Sequence, residues 1–143
     1  MTVRAILDLK GRDVTTVTPD KTLGDAALLL SQHKIGALVV TGAEHRVTGI
    51  LSERDIVKAV SAGGAAALEE KISARMTREV VTCGPHDTMA ELMGRMTAGR
   101  FRHVPVVENG RLVGIISIGD VVKHRLAEME RESSALRDYI MTA

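Results

Sequence analysis

The stretch Gly49-Ile-Leu-Ser52-Glu-Arg54-Asp55-Ile-Val-Lys58 returns later in the chain as Gly114-Ile-Ile-Ser117-Ile-Gly119-Asp120-Val-Val-Lys123. The similarity extends backwards through each half, and a one-residue gap aligns the halves. The further aligned pairs are Pro19 with Pro85, Thr22 with Thr88, and Arg46 with Arg111. A repeat of this length is one supersecondary unit that must pack against its copy to close a core. The sequence therefore predicts one body with pseudo-twofold symmetry and two related clefts.

The composition of the chain is that of one globular domain of 143 residues. Tyr139 and Phe101 are its aromatic side chains, so the core must be aliphatic. The 19 basic and 18 acidic side chains give a net charge of +1, which argues against nucleic-acid or membrane binding driven by charge. The single cysteine, Cys83, fits a reducing compartment. Because no segment has the length and hydropathy of a signal peptide or membrane span, we expect a cytoplasmic protein.

Both halves show the same predicted order of strand, helix, strand, strand and helix. In the first half we predict strands at 14–17, 37–41 and 47–51, a helix from Thr22 that Gly36 ends, and a helix from Ser52 that buries Ile56, Val57 and Val60. In the second half we predict strands at 80–83, 103–107 and 112–116, and helices at 88–98 and from Ser117. An Asn109-Gly110 turn joins the last two strands, which is a strong hairpin signal.

Three segments lie outside this repeated pattern. Residues 1–10 form an amphipathic lead-in that Gly11 closes, and residues 61–65 mark the boundary between the halves, followed by a short helix. The final helix does not stop where its counterpart stops. Its apolar seam has nearly heptad spacing and consists of Val122, Leu126, Met129, Ser133, Leu136 and Ile140. We expect this seam to pack on a second subunit, the alternative being that it folds back onto its own domain.

The repeated Gly-x-x-Ser-x-x-Asp motif lies where a strand leads into a helix. The hydroxyl and N–H groups at such a helix start suit a phosphate, and the carboxylate of Asp55 or Asp120 can accept hydrogen bonds from the two hydroxyls of a ribose. A purely structural interpretation is also available, in which the serine caps the helix and the aspartate complements its dipole. The occurrence of the motif in two matching contexts favours the binding interpretation.

These two motifs, each after a hydrophobic strand and a turn, resemble the tandem repeats of the cystathionine-β-synthase (CBS) domain family. The resemblance covers about residues 10–126. It implies an α/β (α+β) fold of two βαββα repeats, at 10–62 and 76–126, in one CBS-pair (Bateman) module spanning 1–143, with a helical extension at 127–143. In that family, two repeats form a regulatory unit that binds adenine nucleotides in clefts between them.

By this resemblance, the Ser and Asp of one repeat face the first two strands of the other. The first cleft would contain Ser52, Arg54, Asp55, Val81, Phe101, Arg102 and His103. The second cleft would contain Ser117, Gly119, Asp120, Asp13, Thr15, Ile35, Gly36 and Ala37. Since Arg102 and His103 stand where Gly36 and Ala37 stand in the other half, basic residues concentrate in the first cleft. We expect the first cleft to prefer the more highly phosphorylated ligand. The alternative is that these two side chains only lie at a solvent-exposed strand end.

We therefore expect a regulatory module, not an enzyme, that binds AMP, ADP, ATP or NAD(H) without consuming it. It would sense energy or redox state and act in trans on a protein that the sequence does not name. We expect a homodimer, no nucleic-acid or membrane partner, no catalytic cofactor, and no metal site, because the histidines and Cys83 lack ligand spacing. Two alternatives remain open: an interaction module with empty clefts, and an enzyme that processes a nucleotide.

Overall fold

The computed structural model describes residues 1–142 and contains six α-helices and five strands over that range. The helices are α1 (Val3–Lys10), α2 (Leu23–His33), α3 (Glu53–Gly63), α4 (Ile72–Arg75), α5 (Met89–Gly99) and α6 (Ile118–Thr142). The strands are β1 (Thr16–Val17), β2 (Ala37–Thr41), β3 (Val47–Ser52), β4 (His103–Glu108) and β5 (Arg111–Ser117). Short 3₁₀ turns span Ala43–His45 and Gly64–Glu69. The fold is mixed α and β, as predicted.

Two small sheets carry the strands. In the first, β1 pairs parallel with β2, and β2 pairs antiparallel with β3. In the second, β4 and β5 form an antiparallel hairpin. The strand predicted at 80–83 is reduced to a single parallel bridge between Cys83 and Val106, so that prediction is wrong. The hairpin turn at Asn109-Gly110 is confirmed, and both residues have positive φ, as a type I′ turn requires.

Helices α2 and α5, one in each half, begin with a threonine cap and end in the same way. The Thr22 hydroxyl accepts a hydrogen bond from the N–H of Asp25, and the Thr88 hydroxyl accepts one from the N–H of Glu91. Helix α2 ends at His33, three residues before the glycine that we expected to end it. Lys34 there adopts a left-handed conformation, and Arg100 does the same after α5.

The core consists of two aliphatic clusters, one for each repeat. The first contains Leu23, Leu38, Leu51 and Ile72, and the second contains Met89, Leu92, Val104 and Ile116 among its buried side chains. On α3, Ile56 and Ala59 are buried, whereas Val57 is 65% exposed and Val60 is 36% exposed. Our expectation that Val57 and Val60 point inward is therefore wrong.

A short helix outside each repeat unit completes each cluster. Ile72 of α4 and Met76 after it pack in the first cluster, whereas Val3 and Leu7 of α1 pack in the second. Glycines make room for both helices. A Cβ on Gly49 would lie 2.6 Å from the Met76 sulfur, and a Cβ on Gly114 would lie 2.7 Å from a Leu7 methyl carbon. The N-terminal helix therefore belongs to the core of the C-terminal repeat.

Candidate functional site

The Ser–Asp pair of the first repeat forms a closed set of hydrogen bonds at the start of α3. The Asp55 N–H donates to Ser52 Oγ at 3.3 Å, while the Ser52 N–H and hydroxyl donate to Asp55 Oδ2 at 2.8 Å and 3.1 Å. This reciprocal arrangement is a capping box, which satisfies backbone donors that the helix leaves free. The structural role considered for this motif is thus present.

The second repeat reproduces this arrangement almost atom for atom. The Asp120 N–H donates to Ser117 Oγ at 3.3 Å, and the Ser117 N–H and hydroxyl donate to Asp120 Oδ2 at 2.8 Å and 3.0 Å. In both repeats only Oδ2 of the aspartate accepts these bonds. Within residues 1–142, Oδ1 of Asp55 and Oδ1 of Asp120 accept none, so each carboxylate has one oxygen that takes no part in the cap.

The strand ends beside these caps are held to their own repeat. Ala37 is the register partner of Ser52, and His103 is the register partner of Ser117. The Arg102 carbonyl accepts a hydrogen bond from the Ile118 N–H at 2.8 Å, as the Gly36 carbonyl does from the Glu53 N–H at 3.0 Å. These bonds tie Arg102 and His103 to the Ser117 helix start of their own repeat.

The two repeats approach each other where β2 and β4 begin. A Cβ on Gly36 would lie 3.6 Å from Cε1 of His103 and 3.7 Å from a carboxylate oxygen of Glu53. Gly36 thus sits between the imidazole of one repeat and the carboxylate of the other. These separations are ordinary van der Waals distances, so the two repeats are in contact at position 36.

Two chain segments cross from one repeat to the other. Thr77 bridges to Ile50 of β3 and Cys83 bridges to Val106 of β4, so Val81 lies on the segment between the repeats. The chain between α1 and β1 makes the corresponding crossing and contains Asp13 and Thr15. Val81 is 42% exposed, Asp13 is exposed and Thr15 is half-buried. Arg54 and Gly119 lie exposed in the first turns of their helices.

Lys10 contacts Asp120 of the predicted second cleft, and the sequence analysis did not predict this contact. Its Nζ lies 2.7 Å from Asp120 Oδ2 and donates to the carbonyl of Ile115 at 2.9 Å. In the first repeat, the equivalent carbonyl, that of Ile50, accepts from the backbone N–H of Thr77 at 2.9 Å. An ammonium group therefore replaces a backbone amide at the same point of the pseudosymmetric fold. Because Lys10 and Asp120 are 110 positions apart in the sequence, the repeated motif alone did not reveal their contact.

The ionisation states of Asp120 and His103 decide which charges the two predicted clefts carry. Burial would raise the pKa of Asp120, but the hydrogen bonds from Lys10 and Ser117 outweigh it, so this pKa lies below its usual value. Burial, and then the charge of Arg102, lower the pKa of His103 below 6.5. His103 is therefore neutral at pH 7, and Arg102 is the charged member of that pair. The second cleft, with Lys10, is not devoid of basic groups.

The surface beside this region contains a groove of about 520 Å³ between α2 and α3. Ile35 and Gly36 line it together with Glu53, Ile56 and Val57. Among residues 1–142, no three or more His, Cys, Asp or Glu side chains gather in a way that could hold a metal ion. No helix in that range is both long enough and apolar enough to cross a membrane. Cys83 is buried, which raises its pKa to about 12, with the charge of Asp87 adding to the effect.

Comparison with known proteins decides the family. The family model for the CBS domain matches residues 6–62 and again residues 70–127. The chain belongs to the CBS domain family. The tandem arrangement expected from the repeated motif is thereby confirmed, and the second match begins a few residues before α4.

Several CBS proteins are similar to this chain over most of its length. A crystal structure of the CBS-domain protein ATU1752 from Agrobacterium tumefaciens is 59% identical, with a TM-score of 0.84, and the match covers 87% of this chain and 99% of that one. The mitochondrial CBS domain-containing protein CBSX3 of Arabidopsis thaliana is 35% identical over 86% of this chain, which spans 62% of its length.

One solved relative carries adenosine compounds. The CBS domain pair of protein MJ0100, crystallised with 5′-methylthioadenosine and S-adenosyl-L-methionine, is 25% identical with a TM-score of 0.80. That match covers 90% of this chain and 98% of the other.

Proposed function

We propose that this CBS pair is a regulatory module that binds an adenine nucleotide without consuming it, taking AMP, ADP, ATP or NAD(H). It would sense energy or redox state and act on a partner protein in trans, as a homodimer. The observation that carries the proposal is the duplicated cap in which Asp55 and Asp120 each engage only one carboxylate oxygen. The adenosine ligands of the MJ0100 pair support it, because they show that this fold can hold such compounds.

Each cleft would use one free Oδ1 to accept hydrogen bonds from ribose hydroxyls. Such charge-assisted bonds each contribute about 1.5–3 kcal/mol. In the first cleft, Arg102 would meet the phosphates, as the sequence analysis expected. In the second cleft, Lys10 would supply the positive charge, because its ammonium lies beside Asp120. Both clefts would then accept a phosphorylated ligand, and they would differ in the geometry of their cation.

Isothermal titration of the protein with AMP, ADP, ATP and NADH tests this proposal. Asp55→Asn and Asp120→Asn are better variants than alanine, because an asparagine oxygen can still accept from the cap N–H groups and so keeps the helix start. We expect each variant to lose affinity at one site at least tenfold and to keep the other site. If wild-type protein binds none of the four nucleotides, or if both variants bind as wild type does, the proposal fails.

A second function is favoured by a separate observation, the exposed apolar face of α6 described below. If the clefts stay empty in titrations, the chain would be an interaction module that works through this face. Mass spectrometry of nucleotides after incubation separates both candidates from a nucleotide-processing enzyme, because only an enzyme would change the mass of the ligand.

A further inference from the structure

Helix α6 extends well beyond the body of the protein. Its 25 residues give it a length of about 37 Å. Only Val121 and His124 of α6 are buried, and every residue from Met129 to Thr142 is exposed. The helix therefore does not fold back onto its own domain within residues 1–142, which removes the alternative left open by the sequence.

The exposed residues of this helix follow a heptad pattern, which we call the α6 seam. Leu126, Ser133 and Ile140 occupy the a positions, and Val122, Met129 and Leu136 occupy the d positions. The five apolar members of the seam are 50–64% exposed. The centre of the seam is polar, since Ser133 stands at its middle a position. A polar residue at one a position favours helices paired in a single register.

The charges beside the seam discriminate between the two ways of pairing α6 with a second copy. The g positions are Arg125, Glu132 and Tyr139, and the e positions are Lys123, Glu130 and Arg137. In a parallel pair, each g residue faces the e residue five positions later in the other helix. Arg125 would face Glu130 of the second copy, and Glu132 would face Arg137 of the second copy. Both contacts join opposite charges.

An antiparallel pair with the seams fully overlapped brings like charges together. Its g positions face g positions and its e positions face e positions. Glu132 of one copy would therefore face Glu132 of the other, and Glu130 would face Glu130. Lys123 would meet Arg137. Each of these contacts is repulsive, whereas the parallel pair has none of them. The intrahelical pairs of Arg125 with Glu128 and Glu132, at 3.7 Å and 3.9 Å, are exposed and weak enough to exchange for contacts between helices.

We propose that two copies of this protein associate through a parallel, in-register two-stranded coiled coil of the α6 seam, residues 122–140. This specifies the geometry of the proposed homodimer and does not depend on nucleotide binding. The C-terminal ends of both helices would then point away from the CBS bodies, and the two bodies would lie side by side at the N-terminal end of the coiled coil.

Disulfide capture of a Leu136→Cys variant tests the orientation. A parallel pair places the two cysteines opposite each other, within the Cα separation of 7 Å that a disulfide needs. An overlapped antiparallel pair places them about 15 Å apart and sets position 136 against position 126 of the other copy. Wild-type protein is the matched control, because its one thiol, Cys83, is buried. We expect mild oxidation to yield covalent dimer from the variant and none from wild type.

Charge reversal tests the contacts that set the orientation. Glu132→Arg should raise the dissociation constant of the dimer about tenfold in sedimentation equilibrium, because two symmetry-related attractive pairs become repulsive. Glu132→Arg with Arg137→Glu should return it to within about twofold of wild type. Asp138→Arg makes the same change of charge at an outer f position and should have little effect.

Three results would overturn the proposal. The first is a monomeric mass in light scattering at tens of micromolar. The second is a Leu136→Cys variant that forms covalent dimer only when mixed with a Leu126→Cys variant of different mass. The third is a dissociation constant that Glu132→Arg changes no more than Asp138→Arg does. Because none of these measurements needs a nucleotide, they leave the proposed ligand binding to its own titrations.

Discussion

Replacing Lys10 by methionine should destabilise the protein by removing the ion pair with Asp120 and the donor to the Ile115 carbonyl. Methionine keeps most of the length and apolar character of the lysine stem, so the change isolates the ammonium group. The side chains of Lys10 and Asp120 are 30% and 20% exposed, which places the pair between a solvated surface pair and a buried one.

The expected magnitude follows from this partial burial. Fully exposed ion pairs contribute about 0.2–1 kcal/mol, and breaking a buried pair costs about 3–5 kcal/mol. We expect Lys10→Met to lower the free energy of unfolding by about 1–2 kcal/mol, which includes the lost bond to the carbonyl. A double-mutant cycle with Asp120→Asn should give a coupling energy of about 1 kcal/mol after discounting for solvent screening.

The dependence on pH provides a second check. Because the pKa of Asp120 in the folded protein is lowered from 3.8, its contribution to stability is present above that value and is lost as the pH falls through the folded pKa. Urea unfolding should therefore show a larger difference between wild type and Lys10→Met at pH 7 than at pH 3. The exposed Arg12–Asp8 pair is the control, and its cycle should show only a few tenths of a kcal/mol. A coupling energy near zero at pH 7, or a difference that does not change with pH, would refute the reasoning.

The remaining predictions concern the clefts and the core. The wild-type free energy of unfolding should fall as the pH drops below 6.5, because His103 is held neutral in the folded state and the unfolded chain binds the proton more readily. His103→Gln should show a smaller fall, which urea midpoints at pH 7.5 and 5.5 measure. Arg102→Ala should cost more affinity for ATP than for adenosine in calorimetric titrations, and an equal loss would assign it a structural role. Gly114→Ala should lower the thermal midpoint, because the new Cβ would lie 2.7 Å from Leu7, whereas Gly94→Ala in an open part of α5 should raise it by removing a helix glycine.

The repeated segment made much of the fold predictable from the sequence. It placed both Ser–Asp caps, both threonine caps and the hairpin turn at Asn109-Gly110, because each depends on residues close together in the chain. The predictions that failed concern features that depend on tertiary packing. Val57 is apolar yet exposed, because Ile56 and Ala59 already fill the buried face of α3.

The parts of the candidate site that the sequence did not reveal depend on contacts between distant segments. Lys10 reaches Asp120 across 110 positions of sequence. The neutral state of His103 depends on burial, which the pattern of residues around it does not show. The predicted strand at 80–83 has β-branched residues, but the chain there spans two repeats and makes only the Cys83 bridge.

Helix α1 completes the second core cluster and α4 completes the first, and this determines the order in which the two clusters can fold. A ribosome makes α1 first, but the cluster that receives Val3 and Leu7 also needs Ile116 and Val121, which are made more than 100 residues later. The first cluster can assemble as soon as Ile72 and Met76 have been synthesised. Such a distant contact carries a large entropic cost of loop closure and slows folding. A circular permutant that begins after α1 would carry α1 behind α6, joined by a flexible linker long enough to return along the exposed part of α6. Its contacts within each cluster would then be closer in sequence, and it should fold faster than the natural chain order.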